Sequence, residues 1–310
     1  MPRPERSAPW YGVALAAVFT GALLVARCLP GHAVIRLHLT EVLFGLRVVL
    51  LFGSLGWMWP VLWARDPRYA NHASVWLWPK VYALGASLVV LLPALDMLTN
   101  PNAEPLREAL VRAVGNPRVR VWLPSFGIVC SFLGALHGMG LLTVHAKLCV
   151  EREGLRRSSP ESLREQVERY RALREQLQRF MGCLGAIVGV VTLESSALRH
   201  LILSAAVRQD VFPAAYVLGL GLYYTFLLGA WVVPAQQAAL LLGRELADRL
   251  VRPAPADLPA SGEWKGWLEE QRAVETYLGT SQNPLQALQA SLAVLTPLIA
   301  SVSTLVLSGG

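Results

Sequence analysis

Long runs of apolar residues, separated by short polar segments, dominate the chain. A helix rises about 1.5 Å per residue, so about 20 apolar residues cross a hydrocarbon core of roughly 30 Å. We therefore predict membrane-spanning helices over 11–29, 42–63, 81–99, 121–144, 181–207, 211–242 and 285–307. The sixth run exceeds one straight span, and we expect it to begin near Pro213 and to continue toward Arg244. The pattern predicts an all-α, polytopic integral membrane helical bundle with about seven transmembrane helices.

Between the fourth and fifth runs, residues 147–180 have the pattern of an amphipathic helical extension. Ser158, Ser159, Pro160 and Glu161 form a helix-start sequence. One apolar stripe then recurs at spacings of three and four: Leu163, Val167, Tyr170, Leu173, Leu177 and Phe180. We expect the fourth and fifth runs to form a long hairpin that reaches into the cytoplasm. The stripe either packs on its own neighbour or binds a protein partner.

Two further polar segments contain short predicted helices. In 244–284, a proline-rich connector precedes an amphipathic helix that runs from Trp264 to near Gly279. This helix either lies in the inner membrane interface or packs on the long hairpin. On the opposite side, 105–114 predicts a short periplasmic helix closed by Gly115. The predicted organisation is 1–146 with four spans, 147–180 cytoplasmic, 181–243 with two spans, 244–284 cytoplasmic and 285–310 with the last span.

Composition and charge support this organisation and fix its orientation. The chain is 54% hydrophobic and 16% charged, with a mean hydropathy of +0.43, which excludes a large soluble catalytic domain and intrinsic disorder. Nineteen of the 28 Lys and Arg residues lie on the side of the N-terminus and eight on the other side. The positive-inside rule then places the N-terminus in the cytoplasm of a bacterial inner membrane. Because topology explains the pI near 9.5, we expect no nucleic-acid partner.

Charged residues also lie well inside the predicted spans: Arg47, Asp96 and Arg199 fall in the outer half of the membrane, and Glu194 falls near its middle. Charges within a span are costly and mark functional candidates or structural pairs. Two bases and two acids sum to zero, which predicts pairing across helices, of Glu194 with Arg47 and of Asp96 with Arg199. The alternative is a polar pathway or proton-coupled site that involves Glu194.

The last span has one large apolar face and one small, mildly polar face. Gln286, Thr296 and Ser303 lie on the polar face. Such a face serves close helix packing or lines a narrow aqueous path between associated subunits.

The sequence lacks the motifs of familiar enzyme classes, namely GxSxG, HExxH and Walker A. His137 and His200 differ in predicted depth by roughly 18 Å at 1.5 Å per residue, which argues against a shared haem. We expect hydrogen-bonded packing histidines, no enzymatic activity, no cofactor and no metal.

These features favour permeation. The leading hypothesis is a homo-oligomeric channel or pore gated by its cytoplasmic helices, of which a membrane-disrupting defence effector is one version. The first alternative is a non-conducting sensor or scaffold that binds a cytoplasmic protein through those helices. The second alternative is a secondary transporter.

Overall fold

The computed structural model describes residues 39–63, 66–155, 163–205, 212–251 and 264–280. This part of the chain is all-helical and contains no strand. Its helices are α1 (Leu39–Trp63), α2 (Ala73–Trp76), α3 (Trp78–Thr99), α4 (Glu104–Val114), α5 (Val119–Leu155), α6 (Leu163–Ala205), α7 (Ala214–Val251) and α8 (Trp264–Leu278). The predicted spans 11–29 and 285–307, with Gln286, Thr296 and Ser303, lie outside the described residues.

Three helices, α5, α6 and α7, are long and apolar enough to cross a membrane. They contain 37, 43 and 38 residues. At 1.5 Å per residue they are about 55 to 65 Å long, roughly twice the thickness of a hydrocarbon core. The predicted helical continuation of the fourth and fifth runs is therefore present, as is a helix that extends the sixth run to Val251 through Pro234.

Helix α1 runs parallel to α5 and antiparallel to α6. The ring centroids of Phe44 and Phe126 lie 4.3 Å apart. Further along the same two helices, Ser54 lies 2.5 Å from Nε2 of His137. The sequence offset between partners is nearly constant, which defines a parallel pair. The order of contacts with α6 is reversed. Arg47, near the start of α1, contacts Glu194, whereas Trp57, near the end of α1, contacts Phe180, which comes earlier in α6.

The main apolar core joins α5, α6 and α7 near the point where α8 packs on α7. We call this part of the molecule the α8 end and the opposite part, where α4 packs on α5 and α6, the α4 end. At the α8 end, Leu148, Phe180 and Leu278 are completely buried. A smaller cluster at the α4 end contains Leu110 of α4 and Ile202 of α6.

Two glycines end the short amphipathic helices as the sequence predicts. Gly115 follows α4 with φ +71°, and Gly279 follows α8 with φ +66°. Both conformations are left-handed, where a Cβ atom is strained. The N–H of Gly115 donates to the carbonyl of Val111 at 2.8 Å, which satisfies one of the last carbonyls of α4.

Candidate functional site: a buried ion pair at a cavity

The described chain brings two charged side chains together inside the bundle. Nη1 of Arg47 on α1 lies 3.0 Å from Oε2 of Glu194 on α6, and each residue is only 8% exposed. The Arg47 guanidinium also lies over the rings of Phe44 and Phe126, at 5.5 and 5.4 Å from their centroids. Such cation–π contacts help to hold a guanidinium away from water. The predicted pairing of Arg47 with Glu194 is confirmed as a contact.

The pair leaves two polar atoms without a hydrogen bond. Among the described residues, neither Nε of Arg47 nor Oε2 of Glu194 has a hydrogen-bond partner, although the ion pair itself is at contact distance. A buried donor or acceptor without a partner costs about 1 to 3 kcal/mol, and more for a charged group. The site therefore has one N–H to donate and one carboxylate oxygen to accept.

The ion pair lines a cavity of about 200 Å³ at the α4 end. The cavity wall includes residues of α1, α4, α5, α6 and α7, and most of its described surface is apolar. Among the described residues, the polar side chains of the wall are Arg47, Cys130, Ser131, Glu194, Ser195, Tyr216 and Tyr224. Leu106 brings α4 into the wall. An apolar cavity with a few convergent polar groups is the usual form of a small-molecule site.

Small residues of α5 create the space. Gly127, Cys130, Ser131 and Gly134 all line the cavity and fall on one face of a helix, at spacings of three, one and three residues. A Cβ atom added to Gly134 would meet nothing within 4 Å. Sequence reasoning missed this part of the site, although the recurrence of small residues on one face was visible.

Towards the α8 end, aromatic side chains close the space between the helices. Trp231 lines the cavity and lies directly against Gly138. Phe180 lies against Gly140, and its ring centroid is 4.8 Å from that of Trp57. Trp57, Phe180 and Trp231 form an aromatic layer that belongs to the main apolar core, with Trp57 at its edge, and the core continues from there towards the α8 end.

His137 lies close to the cavity without lining it. It is completely buried, with Nε2 at 2.5 Å from the Ser54 hydroxyl and Nδ1 at 2.8 Å from the Leu133 carbonyl. Both ring nitrogens therefore have partners, which confirms the predicted hydrogen-bonded packing for His137, whereas His200 is exposed on α6 and is not a packing histidine. The sequence did not identify Ser54 as its partner.

The predicted pairing of Asp96 with Arg199 is wrong. Asp96 is exposed near the end of α3 and accepts a hydrogen bond from Asn100 at 3.1 Å. Nε of Arg199 instead donates to the carbonyl of Phe212 at 3.0 Å, just before α7 begins. The physical reason is that α3 packs chiefly on α5, whereas Arg199 is on α6.

The predicted partner-binding stripe is used inside the molecule. Val167, Tyr170, Leu173 and Leu177 are buried in the main apolar core, and Leu163 packs against that core. The interpretation as an exposed partner face is therefore corrected to a packing face. The stripe is covered because α5 and α7 flank α6 along this length.

Polar contacts also link α8 to the segment of α6 that contains this apolar stripe. Arg174 donates to the carbonyl of Leu278 at 2.6 Å, and Arg171 donates to the Tyr277 hydroxyl at 3.0 Å. α8 therefore contacts the hairpin through these two arginines, while its main packing partner among the described helices is α7. We call the contacts of Arg171 and Arg174 with α8 the α8 latch.

A second polar link joins the turn after α1 to α5 and α6. The hydroxyl of Tyr69 donates to Oε1 of Glu151 at 2.6 Å, and Oε2 of Glu151 lies 3.2 Å from Nε of Arg169. Burial raises the pKa of the Tyr69 phenol well above its usual range, and the hydrogen bond to Glu151 raises it further. The phenol therefore remains a neutral donor at physiological pH.

No protein-family model, no curated protein and no solved structure matches this chain. The function has to be inferred from the site itself.

Proposed function

We propose that the protein acts in permeation across a membrane and that the cavity beside Arg47 and Glu194 is part of the path. In this proposal the chain spans the bacterial inner membrane seven times with a cytoplasmic N-terminus, so the α4 end faces outward and the α8 end inward. The observation that carries the proposal is a buried, incompletely hydrogen-bonded ion pair on the wall of a cavity between the long apolar helices.

The energetics of the pair support a functional role. Replacing a buried ion pair by apolar residues of similar volume is often neutral or stabilising. The presence of Arg47 and Glu194 in an apolar bundle is therefore poorly explained by stability. Ionisable residues within membranes commonly mark the paths of ions and substrates.

The aromatic layer of Trp57, Phe180 and Trp231 corresponds to a closed state in this proposal. Apolar constrictions in membrane pores exclude water and so act as gates. Phe180 belongs to the same core as Tyr170 and Leu278, where the cytoplasmic helices pack. Movement of α8 relative to α6 would loosen that core, which gives the cytoplasmic helices a physical means of gating. Assembly as a homo-oligomer is part of the proposal, and toxicity on overexpression would favour its defence-effector version.

The test is ion flux through liposomes that contain the purified full-length protein. Glu194→Gln removes the carboxylate charge at nearly constant volume, and we expect it to change flux by about tenfold or more, as loss of a charge from a path requires. Glu168→Gln is the matched control, because Glu168 is an exposed residue of the same helix. The detergent-corrected mass of the same sample measures the oligomeric state. Absence of flux in every condition, or equal flux from wild type and Glu194→Gln, would contradict the proposal.

A secondary transporter is the second candidate, favoured by a cavity that is closed towards one end of the bundle. A transporter exposes its site to one side at a time. Its flux would saturate with solute concentration and would follow a coupling-ion gradient, whereas channel flux would not. The sensor or scaffold alternative requires a different partner face, because the proposed stripe is buried.

A further inference from the structure

The wall of the cavity suits an apolar ligand body. Half of its described lining residues are Leu, Ile or Val, and ten of these come from α5, α6 and α7, among them Leu123, Val191 and Leu198. Apolar walls hold water poorly, and an apolar cavity of about 150 Å³ takes up a benzene ring and stays dry without it. A cavity of about 200 Å³ therefore accommodates a ligand with one ring or a short branched chain.

The polar edge of the cavity determines the head group. Nε of Arg47 has an unused N–H, and Oε2 of Glu194 has no hydrogen-bond donor among the described residues. Both side chains are about nine-tenths buried. A head group that accepts one hydrogen bond and donates another satisfies both atoms at once. Hydroxyl and primary amide groups do this, whereas a hydrocarbon does neither.

The charge of the site selects against ionised ligands. Arg47 and Glu194 neutralise each other, and the other polar groups of the wall are Cys130, two serines and two tyrosines. An ionised ligand would bring a net charge into an apolar environment, which is costly unless a further counter-charge is present. The described residues of the wall provide none.

We propose that the cavity binds a small, uncharged, mostly apolar molecule with a hydroxyl or primary amide head, which contacts Arg47 and Glu194. This ligand is not the permeating species: the inference concerns what the cavity binds in the closed state and goes beyond the proposed flux of ions. Binding itself is measured separately from flux.

The experiment uses the full-length protein in nanodiscs and fluorine NMR of 4-fluorobenzyl alcohol. A ligand in the cavity gives a protein-bound signal that differs from the signal of the ligand dissolved in lipid. We expect this signal with wild type. The analogue 4-fluorotoluene lacks the hydroxyl, and we expect its affinity, referred to concentration in the bilayer, to be about tenfold or more weaker, which is the effect of losing a hydrogen bond to a charged group. We expect 4-fluorobenzoate to give no bound signal.

Matched glycine variants locate the signal. Gly134 lines the cavity with open space at its Cβ position, so Gly134→Leu fills the cavity and should abolish the bound signal. Gly182 is exposed, does not line the cavity and also has open space, so Gly182→Leu should keep the signal. Val191→Phe provides a second cavity-filling variant if Gly134→Leu does not fold.

The outcomes separate the two proposals. A bound signal that persists in the cavity-filling variants, or equal affinity for 4-fluorotoluene, overturns this inference even if ions permeate. A cavity-dependent signal from a protein without flux supports the ligand class and contradicts the proposed permeation. Absence of any bound signal with wild type also overturns the inference.

Discussion

The hydroxyl of Ser54 and Nε2 of His137 lie 2.5 Å apart in the interior of the bundle, and they join α1 to α5. The Leu133 carbonyl, 2.8 Å from Nδ1, can only accept a hydrogen bond, so we assign the ring hydrogen to Nδ1. Nε2 is then an acceptor, and the single hydrogen of the Ser54 hydroxyl, whose oxygen also lies 2.6 Å from the Leu50 carbonyl and 2.9 Å from the Leu51 carbonyl, is the donor within reach of it. The contact is buried, since Ser54 is 6% exposed and His137 is fully covered.

Ser54→Ala should therefore destabilise the protein. It leaves the acceptor Nε2 of His137 buried without a donor, which costs about 1 to 3 kcal/mol. Ser125→Ala is the control, because Ser125 is exposed on the same helix as His137 and its replacement should change stability by less than about 0.5 kcal/mol. Thermal or denaturant unfolding in nanodiscs measures both. Equal stability of the two variants would show that the Ser54 hydrogen bond contributes nothing.

Replacing one member of the ion pair should lower the stability of the protein, whereas replacing both members should not. Glu194→Leu leaves the Arg47 charge buried without a counter-charge and should cost about 3 to 5 kcal/mol. Arg47→Met together with Glu194→Leu removes both charges at similar volume, and we expect its stability to equal or exceed that of wild type. The double variant should nevertheless lose flux if the pair belongs to the path. Unfolding and flux are measured on the same preparations, and a double variant less stable than Glu194→Leu would refute this account of the pair.

Periodicity and charge predicted much of this fold and part of the site. Runs of apolar residues identified the long helices, and glycine signals identified the ends of α4 and α8, because these features depend on local sequence. The pairing of Arg47 with Glu194 followed from charge balance and depth, since a buried charge needs a counter-charge.

Other features depend on which helices are neighbours, which depth and periodicity do not specify. Asp96 and Arg199 have similar predicted depth but lie on α3 and α6, and α3 packs chiefly on α5. The stripe that includes Tyr170 was correctly identified as apolar, but its pattern is the same whether a partner or the protein itself covers it. The cavity exists because residues such as Gly134 are small. Hydrophobicity patterns identify where large apolar side chains lie, but not where space is left between helices.

The Tyr69 link should make stability depend on alkaline pH. Burial and the hydrogen bond to Glu151 raise the pKa of Tyr69 above its ordinary value of 10.0. In the unfolded chain the phenol ionises near pH 10, whereas in the folded protein it stays protonated to higher pH. The stability contributed by the neutral phenol is therefore complete below pH 10 and is lost as pH rises above that value towards the folded pKa.

Tyr69→Phe tests this dependence. At neutral pH it should destabilise by about 1 to 3 kcal/mol, because Glu151 loses a donor and retains Arg169. Because Phe does not titrate, its unfolding temperature should fall less steeply than that of wild type between about pH 9 and pH 11. Superimposable slopes for the two proteins would argue against a raised Tyr69 pKa.

The same Gly→Ala replacement should act in opposite directions at the two glycines of the α8 region. Gly279 has φ +66°, and a Cβ atom there would collide with the guanidinium of Arg174, which donates to the Leu278 carbonyl. Gly279→Ala should cost at least about 1 to 2 kcal/mol from the left-handed conformation alone, and it should also displace Arg174 from the α8 latch. Gly266 lies within α8, is exposed and has open space around its Cβ position, so Gly266→Ala should stabilise the helix by up to about 1 kcal/mol.

Amide hydrogen exchange over Trp264–Leu278 measures these effects locally, because opening of α8 from the hairpin exposes its backbone hydrogen bonds to solvent. We expect faster exchange in Gly279→Ala and equal or slower exchange in Gly266→Ala. If the α8 latch also controls the aromatic layer, Gly279→Ala should change flux while Gly266→Ala leaves it unchanged, since only the first variant disturbs the contact with Arg174. Faster exchange in Gly279→Ala without any change in flux would show that the docking of α8 does not control gating. Equal exchange in both variants would show that the α8 latch does not hold the helix in place.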